Sequence, residues 1–342
     1  GPAATTALIA FVHATLDRAR DAGIAGVPAP RHRSDRPEET AALIAGRLFD
    51  AQSWLPGRPL GRNTAFRSPD GVSINLPLHP TTPVDAALAD AARLIGRVHT
   101  ATRELATAAD APQAPLASML LSVRESWLAE RRRLGLLAEN TTEVRRWLRC
   151  GNRIIPIASD RLRAAPDVLR ATTVVTHGDL WPAHLLGDDG EAVVTGIVDW
   201  ARAAAGSPLL DLAHLATHVG GWSAARAELV LGAYSDIAPL LPEQRRLLPV
   251  VAALDLLAEV GWLLGLGFAD DRLIGDPALS FVRGGTKTLL TSLETLTDVL
   301  APPEPRTGSR RWVPGPRKPR RSGGPKRSGT RGATPPPRER SG

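Results

Sequence analysis

The chain has 342 residues, 43% of them hydrophobic, which is enough to bury a sizeable core and to divide into about two lobes. Its single cysteine, Cys150, excludes an internal disulfide framework and any zinc site built from several cysteines, and suits a reducing cytoplasm. The net charge of +7 is concentrated: residues 301–342 hold 12 Lys+Arg against 2 Asp+Glu, so residues 1–300 are slightly acidic and only the tail invites a polyanion.

The first periodic segment, about Thr6–Asp21, repeats Leu8, Ile9, Val12 and Leu16 near helical spacing, with Gly23 as its C-cap. It lacks the basic lead and small-residue cleavage site of a signal peptide. Residues 24–40 are rich in Pro and Arg and read as loop. Ala42–Ile44 and Leu48–Trp54 read as short strands around Gly46, ending at the turn Leu55-Pro56-Gly57. A polar stretch, Arg58–Pro83, precedes helices over about Pro83–Ala108, Met119–Leu137 and Thr142–Arg149. Ala171–Thr176 and Ala192–Val198 read as strands and, with a turn at Gly187–Gly190, as one hairpin-like unit. Apolar helices follow over Leu209–Val219, Ala224–Tyr234, Pro242–Gly265 and Gly285–Leu300. No apolar run reaches the length of a membrane span, because Asp255 and Glu259 interrupt the most apolar one. In the tail from Ala301 onward 17 residues are Pro or Gly, so it is expected to be disordered. No internal repeat is present.

Chemistry concentrates after the first of those later strands. His177-Gly178-Asp179-Leu180-Trp181-Pro182-Ala183-His184 is followed by Gly196-Ile197-Val198-Asp199-Trp200 and then by Gly206-Ser207-Pro208-Leu209-Leu210-Asp211-Leu212-Ala213. Transfer of a phosphoryl group from ATP needs a carboxylate to orient the attacking hydroxyl and ligands to hold magnesium against the phosphates. A carboxylate, a metal ligand five positions on and a second aspartate after the next strand is the spacing that kinases use.

These three elements, in this order, resemble the aminoglycoside-phosphotransferase family over about residues 6–300. The resemblance implies an α+β, protein-kinase-like two-lobed fold: a partial nucleotide-binding lobe and hinge over 1–57, a mostly helical catalytic lobe over 58–300 and the tail over 301–342. It implies an ATP- and Mg²⁺-dependent cytoplasmic phosphotransferase acting on a hydroxyl of a small molecule, an antibiotic or a metabolite. Asp179 takes the place of the catalytic carboxylate, with His177 holding its loop; Asp199 takes that of the magnesium ligand; Asp211 braces the catalytic loop. Gln52, Ser53, Trp54 and Leu55 occupy the hinge that meets adenine, and are equally an edge strand ending in a proline turn.

Two departures from the family pattern stand out. His184 replaces the usual asparagine, and is a metal ligand or a loop histidine satisfied by its neighbours. No lysine precedes Lys287, so the expected glycine-rich strands and phosphate-pairing lysine are not in the sequence. The sequence thus reads as beginning after those strands, and it also admits a non-catalytic, pseudokinase-like binding protein. Asp255 and Glu259, four apart with Trp262 nearby, suit either a cationic substrate or a solvated helix face, and Asp270, Asp271 and Asp276 share that ambiguity. The basic tail is a weak polyanion arm or solvated sequence, the second being preferred because Trp312 is its lone aromatic; a nucleic-acid partner is not expected.

Overall fold

The helix expected at the start of the chain is present in the computed structural model as Pro2–Asp21 (α1). It ends where Gly23 takes φ 81°, the Ile24 N–H returning to Ala19 at 3.0 Å and the Gly23 N–H to Arg20 at 2.8 Å. This left-handed C-terminal turn is cheap for glycine alone. The structure describes residues 2–32, 34, 36, 41–44, 47–60, 63–67, 73–77, 85–137, 141–166, 173–188, 193–219, 221–269 and 276–301. The tail, Asp270, Asp271, the side chain of Asp276 and the end of the turn at Gly187–Gly190 lie outside them.

Ala41–Ile44 (β1) and Arg47–Asp50 (β2) form an antiparallel pair in register Ala41↔Asp50, as the sequence suggests. The chain then runs past an isolated bridge between Pro30 and Gln52 to Arg58–Pro59 (β3), and Asn63–Arg67 (β4) pairs with Ser73–Pro77 (β5). These three strands fall in the stretch read as merely polar. Pairing partners, rather than an alternation of apolar and polar residues, make them strands.

The expected hairpin is corrected. Val174–Thr176 (β7) does not pair with Val194–Ile197 (β9). It lies between Ala204–Gly206 (β10) and the helices, and β10 also pairs in parallel with Gln113–Ala114 (β6). The hairpin partner of β9 is Leu185–Gly187 (β8), in register Leu185↔Ile197, with β3 on the other edge. After Thr176 the chain leaves the sheet, and a 3₁₀ turn at Pro182–His184 starts the new strand. Three residues, Leu-Leu-Gly, are too short for a periodicity signal.

The helices are Asp85–Ala101 (α2), Arg103–Ala106 (α3), Leu116–Gly135 (α4), Thr142–Arg163 (α5), Leu209–His214 (α6), Ala224–Ser235 (α7), Pro242–Leu264 (α8) and Asp276–Leu300 (α9). Two differ from expectation. The helix read over Pro83–Ala108 breaks at Thr102, whose hydroxyl bonds the Val98 carbonyl at 2.8 Å. α5 continues past Arg149, carrying Pro156 in its interior, because Ile154, Ile155, Ala158 and Leu162 are buried and outweigh the weak propensity of Gly151, Asn152 and Pro156. α8 is the central core helix: Leu248, Val251, Leu254 and Leu257 are buried, and the Trp147 indole donates to the Leu257 carbonyl at 2.9 Å. Contrary to the sequence expectation, Pro242–Phe268 is long and apolar enough to cross a membrane, with mean hydropathy 1.9, but 72% of it is buried inside the fold. That is how a core helix reads.

Candidate active site

The His177-Gly178-Asp179 loop begins where β7 ends, and a buried aspartate holds it there. Asp211, in the first turn of α6, accepts the backbone N–H of His177 at 2.7 Å and of Gly178 at 2.9 Å. His99 on α2 donates its Nε2–H to the same carboxylate at 3.0 Å, and its Nδ1 meets the Tyr234 hydroxyl at 3.0 Å. Burial opposes ionisation of Asp211, but the bonds from His99 and the loop outweigh it and hold the carboxyl below its ordinary range. Burial, with Asp211 close by, pushes the Tyr234 phenol up. Gly178 sits at φ 75°, and a Cβ there would fall 2.8 Å from the Arg202 carbonyl oxygen, so the middle position of the loop admits only glycine.

His177 is fully buried and its tautomer is fixed by its partners. Nδ1 accepts the Asp179 N–H at 3.2 Å, so the proton is on Nε2, which donates to the Val198 carbonyl at 2.9 Å. Burial holds its pKa below that of a free imidazole, which agrees with this neutral ring. The ring also packs edge-on against Trp200, 4.7 Å between centroids. His177 therefore joins its own loop to the strand that delivers Asp199.

Asp179 is oriented from its own loop: the Trp181 indole N–H donates to its Oδ1 at 3.0 Å, and Arg202 Nε lies 3.9 Å from Oδ2. Five residues on, His184 donates Nδ1–H to the Asp179 carbonyl at 2.6 Å. Its Nε2 is turned outward, 3.5 Å from Asp199 Oδ2. Asp199 follows β9 at φ 67°, and is the one non-glycine residue with positive φ among the described residues. Aspartate tolerates that conformation better than most side chains, and here its half-exposed carboxylate faces His184.

A second cluster lies behind the loop. His214 Nδ1 accepts the Leu180 N–H at 3.1 Å, and its Nε2 donates to Asp255 Oδ1 at 3.1 Å. His218, four residues on, meets Asp255 Oδ2 at 2.6 Å through Nε2, and the Trp181 ring packs on it at 4.2 Å. Burial opposes charge on His214, but Asp255 draws its pKa up to about 9, while the Leu180 N–H on Nδ1 favours the neutral ring. Burial likewise opposes ionisation of Asp255, and the two imidazoles overcome it and hold the carboxyl far below its usual range. For Glu259, burial and the Asp255 charge act together and raise the pKa to about 8. The ligand atoms of His214, His218 and Asp255 lie within 4.8 Å of one another. The proton on His214 Nε2 makes them a hydrogen-bonded cluster rather than a cation site.

An open cleft of about 410 Å³ runs beside the loop, lined by Gln113, Ser118, Met119, Arg202, His214 and Asp255 among others. Of the predicted substrate residues, Asp255 reaches it. Trp262 is 46% exposed and does not line it. The hinge residues lie elsewhere, on the segment that runs into β3. The Ser53 N–H donates to the Ala29 carbonyl at 2.7 Å and its hydroxyl accepts the Ala29 N–H at 2.8 Å, so both polar groups face the neighbouring chain. The Gln52 side chain bonds Asp50, Leu55 is buried, and Trp54 is 91% exposed, the one candidate with a broad open surface.

The model of the phosphotransferase enzyme family matches residues 1–250. The chain belongs to this family. Among solved structures, the aminoglycoside phosphotransferase from Alicyclobacillus acidocaldarius is 15% identical, with TM-score 0.58 over 86% of this chain and 82% of that one. The macrolide 2'-phosphotransferase MphH from Brachybacterium faecium is 22% identical at TM-score 0.42, covering 88% and 79%. The GDP complex of wild-type aminoglycoside 2'-phosphotransferase-IIIa is 19% identical at TM-score 0.47, covering 83% of each. No curated protein sequence matches the chain. The chain has the α+β, protein-kinase-like fold that its motifs imply.

His177, Asp179, His184, Asp199 and Asp211 come together in this chain. Its sequence gives less notice of His99, Trp181, His214, His218 and Tyr234. The spacing of His214 and His218, one helical turn apart, marks a shared face, but their partner Asp255 is 41 and 37 residues away.

Proposed function

We propose that the chain transfers the γ-phosphoryl group of ATP to a hydroxyl of a small molecule, with Asp179 as the catalytic carboxylate. The observation that carries this reading is the pairing of a braced Asp179 with His184 Nε2 and Asp199 Oδ2, 3.5 Å apart and five residues and one strand downstream. A lone pair and a carboxylate converging at an exposed edge suit a divalent cation, and His184 and Asp199 would hold it. When bound, Mg²⁺ would neutralise phosphate charge.

The remaining work falls to the chain's own side chains. Trp181 fixes Asp179 Oδ1, which leaves Oδ2, on the Arg202 side, to accept the proton of a hydroxyl presented from the cleft. Arg202 places a positive charge beside that carboxylate. Trp54 offers an aromatic surface at the hinge for a purine ring. Asp211, His99 and His177 touch no substrate in this reading; they hold the loop in register so that Asp179 needs no rearrangement.

Calorimetric titration of ATP, with and without Mg²⁺, against the full chain and its Asp199→Ala variant tests the reading. Magnesium-dependent binding that disappears in the variant is expected. Equal binding in both removes Asp199 from the site. Binding without turnover on any acceptor favours the non-catalytic reading.

A further inference from the structure

We infer that the acceptor of this phosphotransferase is a hydroxyl compound without an array of ammonium groups, and that His214 and His218 set this preference by occupying the carboxylate that would hold such groups. The inference rests on the phosphotransfer reading, since it concerns what the cleft beside Asp179 admits.

Recognition of a polyamine needs carboxylate oxygens that are open to it, because an ammonium gains little from an oxygen already bonded elsewhere. Among the described residues, Asp255 is the acidic side chain lining the cleft. Each of its oxygens already accepts an imidazole, Oδ1 from His214 at 3.1 Å and Oδ2 from His218 at 2.6 Å, and its side chain is 19% exposed. An ammonium would have to share this partly buried carboxylate with both imidazoles, at the one lone pair left on each oxygen, where His214 and His218 already offset its charge. His218 is already at its limit: its Nδ1 is buried with no hydrogen-bond partner. Glu259, one helical turn further, is half-buried and close enough to Asp255 to be kept a neutral acid at pH 7.

The other charges nearby point the same way. Asp179 is engaged by Trp181 and lies 3.9 Å from Arg202, and Arg202 itself lines the cleft with its side chain 72% exposed. A cationic acceptor would therefore meet a guanidinium at the entrance and two imidazoles behind it. The facing wall is uncharged: Gln113, Ser118 and Ser122 supply donors and acceptors, while Met119 and Leu210 supply apolar surface. That combination suits a sugar-like or nucleoside-like ring with neutral hydroxyls, or one carrying an anionic group near Arg202.

The probe is kanamycin, a sugar bearing several ammonium groups, titrated calorimetrically into the full chain beside a neutral disaccharide. Wild type should bind kanamycin no more tightly than a Kd of about 1 mM. His218→Leu, which uncovers Asp255 Oδ2 without changing side-chain size greatly, should tighten kanamycin binding by about tenfold or more, and adding Asp255→Asn should cancel the gain. Micromolar, salt-sensitive binding to wild type overturns the inference, as does transfer of phosphate from ATP to kanamycin. A folded His218→Leu variant that gains nothing also overturns it, because the imidazoles then exclude no cation. Should that variant not fold, the wild-type titration still decides. Failure of wild type to bind Mg²⁺-ATP in the same instrument is a separate result: it sinks the phosphotransfer reading and leaves the kanamycin titration interpretable.

Discussion

Asp211 reaches back 34 residues to accept the His177 N–H at 2.7 Å, and its other oxygen takes the Gly178 N–H at 2.9 Å. One carboxylate thus fixes two successive peptide groups of the His177-Gly178-Asp179 loop and, through His99, ties them to α2. Asp211→Asn keeps the shape but puts an NH₂ group where donors converge. We expect a stability loss of about 3–5 kcal/mol, because a fully buried charged partner is removed from its donors. The denaturant midpoint measures it, and an unchanged midpoint refutes it. Since the carboxyl is held below its ordinary range, its contribution is full above the unfolded-state pKa and is lost as pH falls through the depressed value.

In the proposed reaction Asp179 should bear on turnover rather than stability, being partly exposed and bonded through Oδ1 to Trp181. Asp179→Asn preserves that bond if its carbonyl takes the Oδ1 position, but cannot accept a substrate proton. Turnover should fall by roughly 10²–10⁴-fold with ATP affinity nearly unchanged. Steady-state kinetics beside nucleotide titration separates the two, and turnover within a factor of two of wild type removes Asp179 from its role.

In the proposed cation site His184 would supply a nitrogen beside the Asp199 oxygen, where an asparagine would supply a second oxygen. Magnesium prefers oxygen, whereas manganese accepts imidazole more readily. Wild type should therefore work at least as well with Mn²⁺ as with Mg²⁺, and His184→Asn should shift the preference toward Mg²⁺. Rates measured with each metal in both proteins check this; an identical metal preference would place His184 outside the site.

The parts of this site legible in the sequence are those encoded locally. His177, Gly178, Asp179 and His184 fall within one turn and one short 3₁₀ segment, so their spacing survives folding unchanged. Strand pairing is not local: β7 goes to β10 and not to β9, and nothing in the composition of Val174–Thr176 distinguishes these partners. The same holds for Asp255. Its spacing from Glu259 is equally that of a solvated face and of a cation site, and its two imidazoles arrive from a helix about 40 residues earlier. α5 shows propensity overruled, since burial of Ile154, Ile155 and Leu162 carries the helix through Pro156.

Glu259 offers a test of how the cluster responds to pH. Burial and the Asp255 charge raise its pKa to about 8, so in the folded protein it keeps its proton well above the range where the unfolded chain has lost it. An acid raised in this way costs stability as pH rises: the unfolded state ionises near pH 4.5, the folded state follows only near 8, and the penalty grows between those values and is constant above. Glu259→Gln removes the titration and keeps the shape. Its melting temperature should match that of wild type near pH 4, then rise above it, with an advantage of about 2–4 °C per kcal/mol relieved that levels off above pH 8. Thermal melts of both proteins from pH 4 to 9 follow this difference. A constant offset would mean that the substitution changes packing and not ionisation, and an advantage that shrinks with pH would mean that Glu259 is a charged residue stabilised by His214.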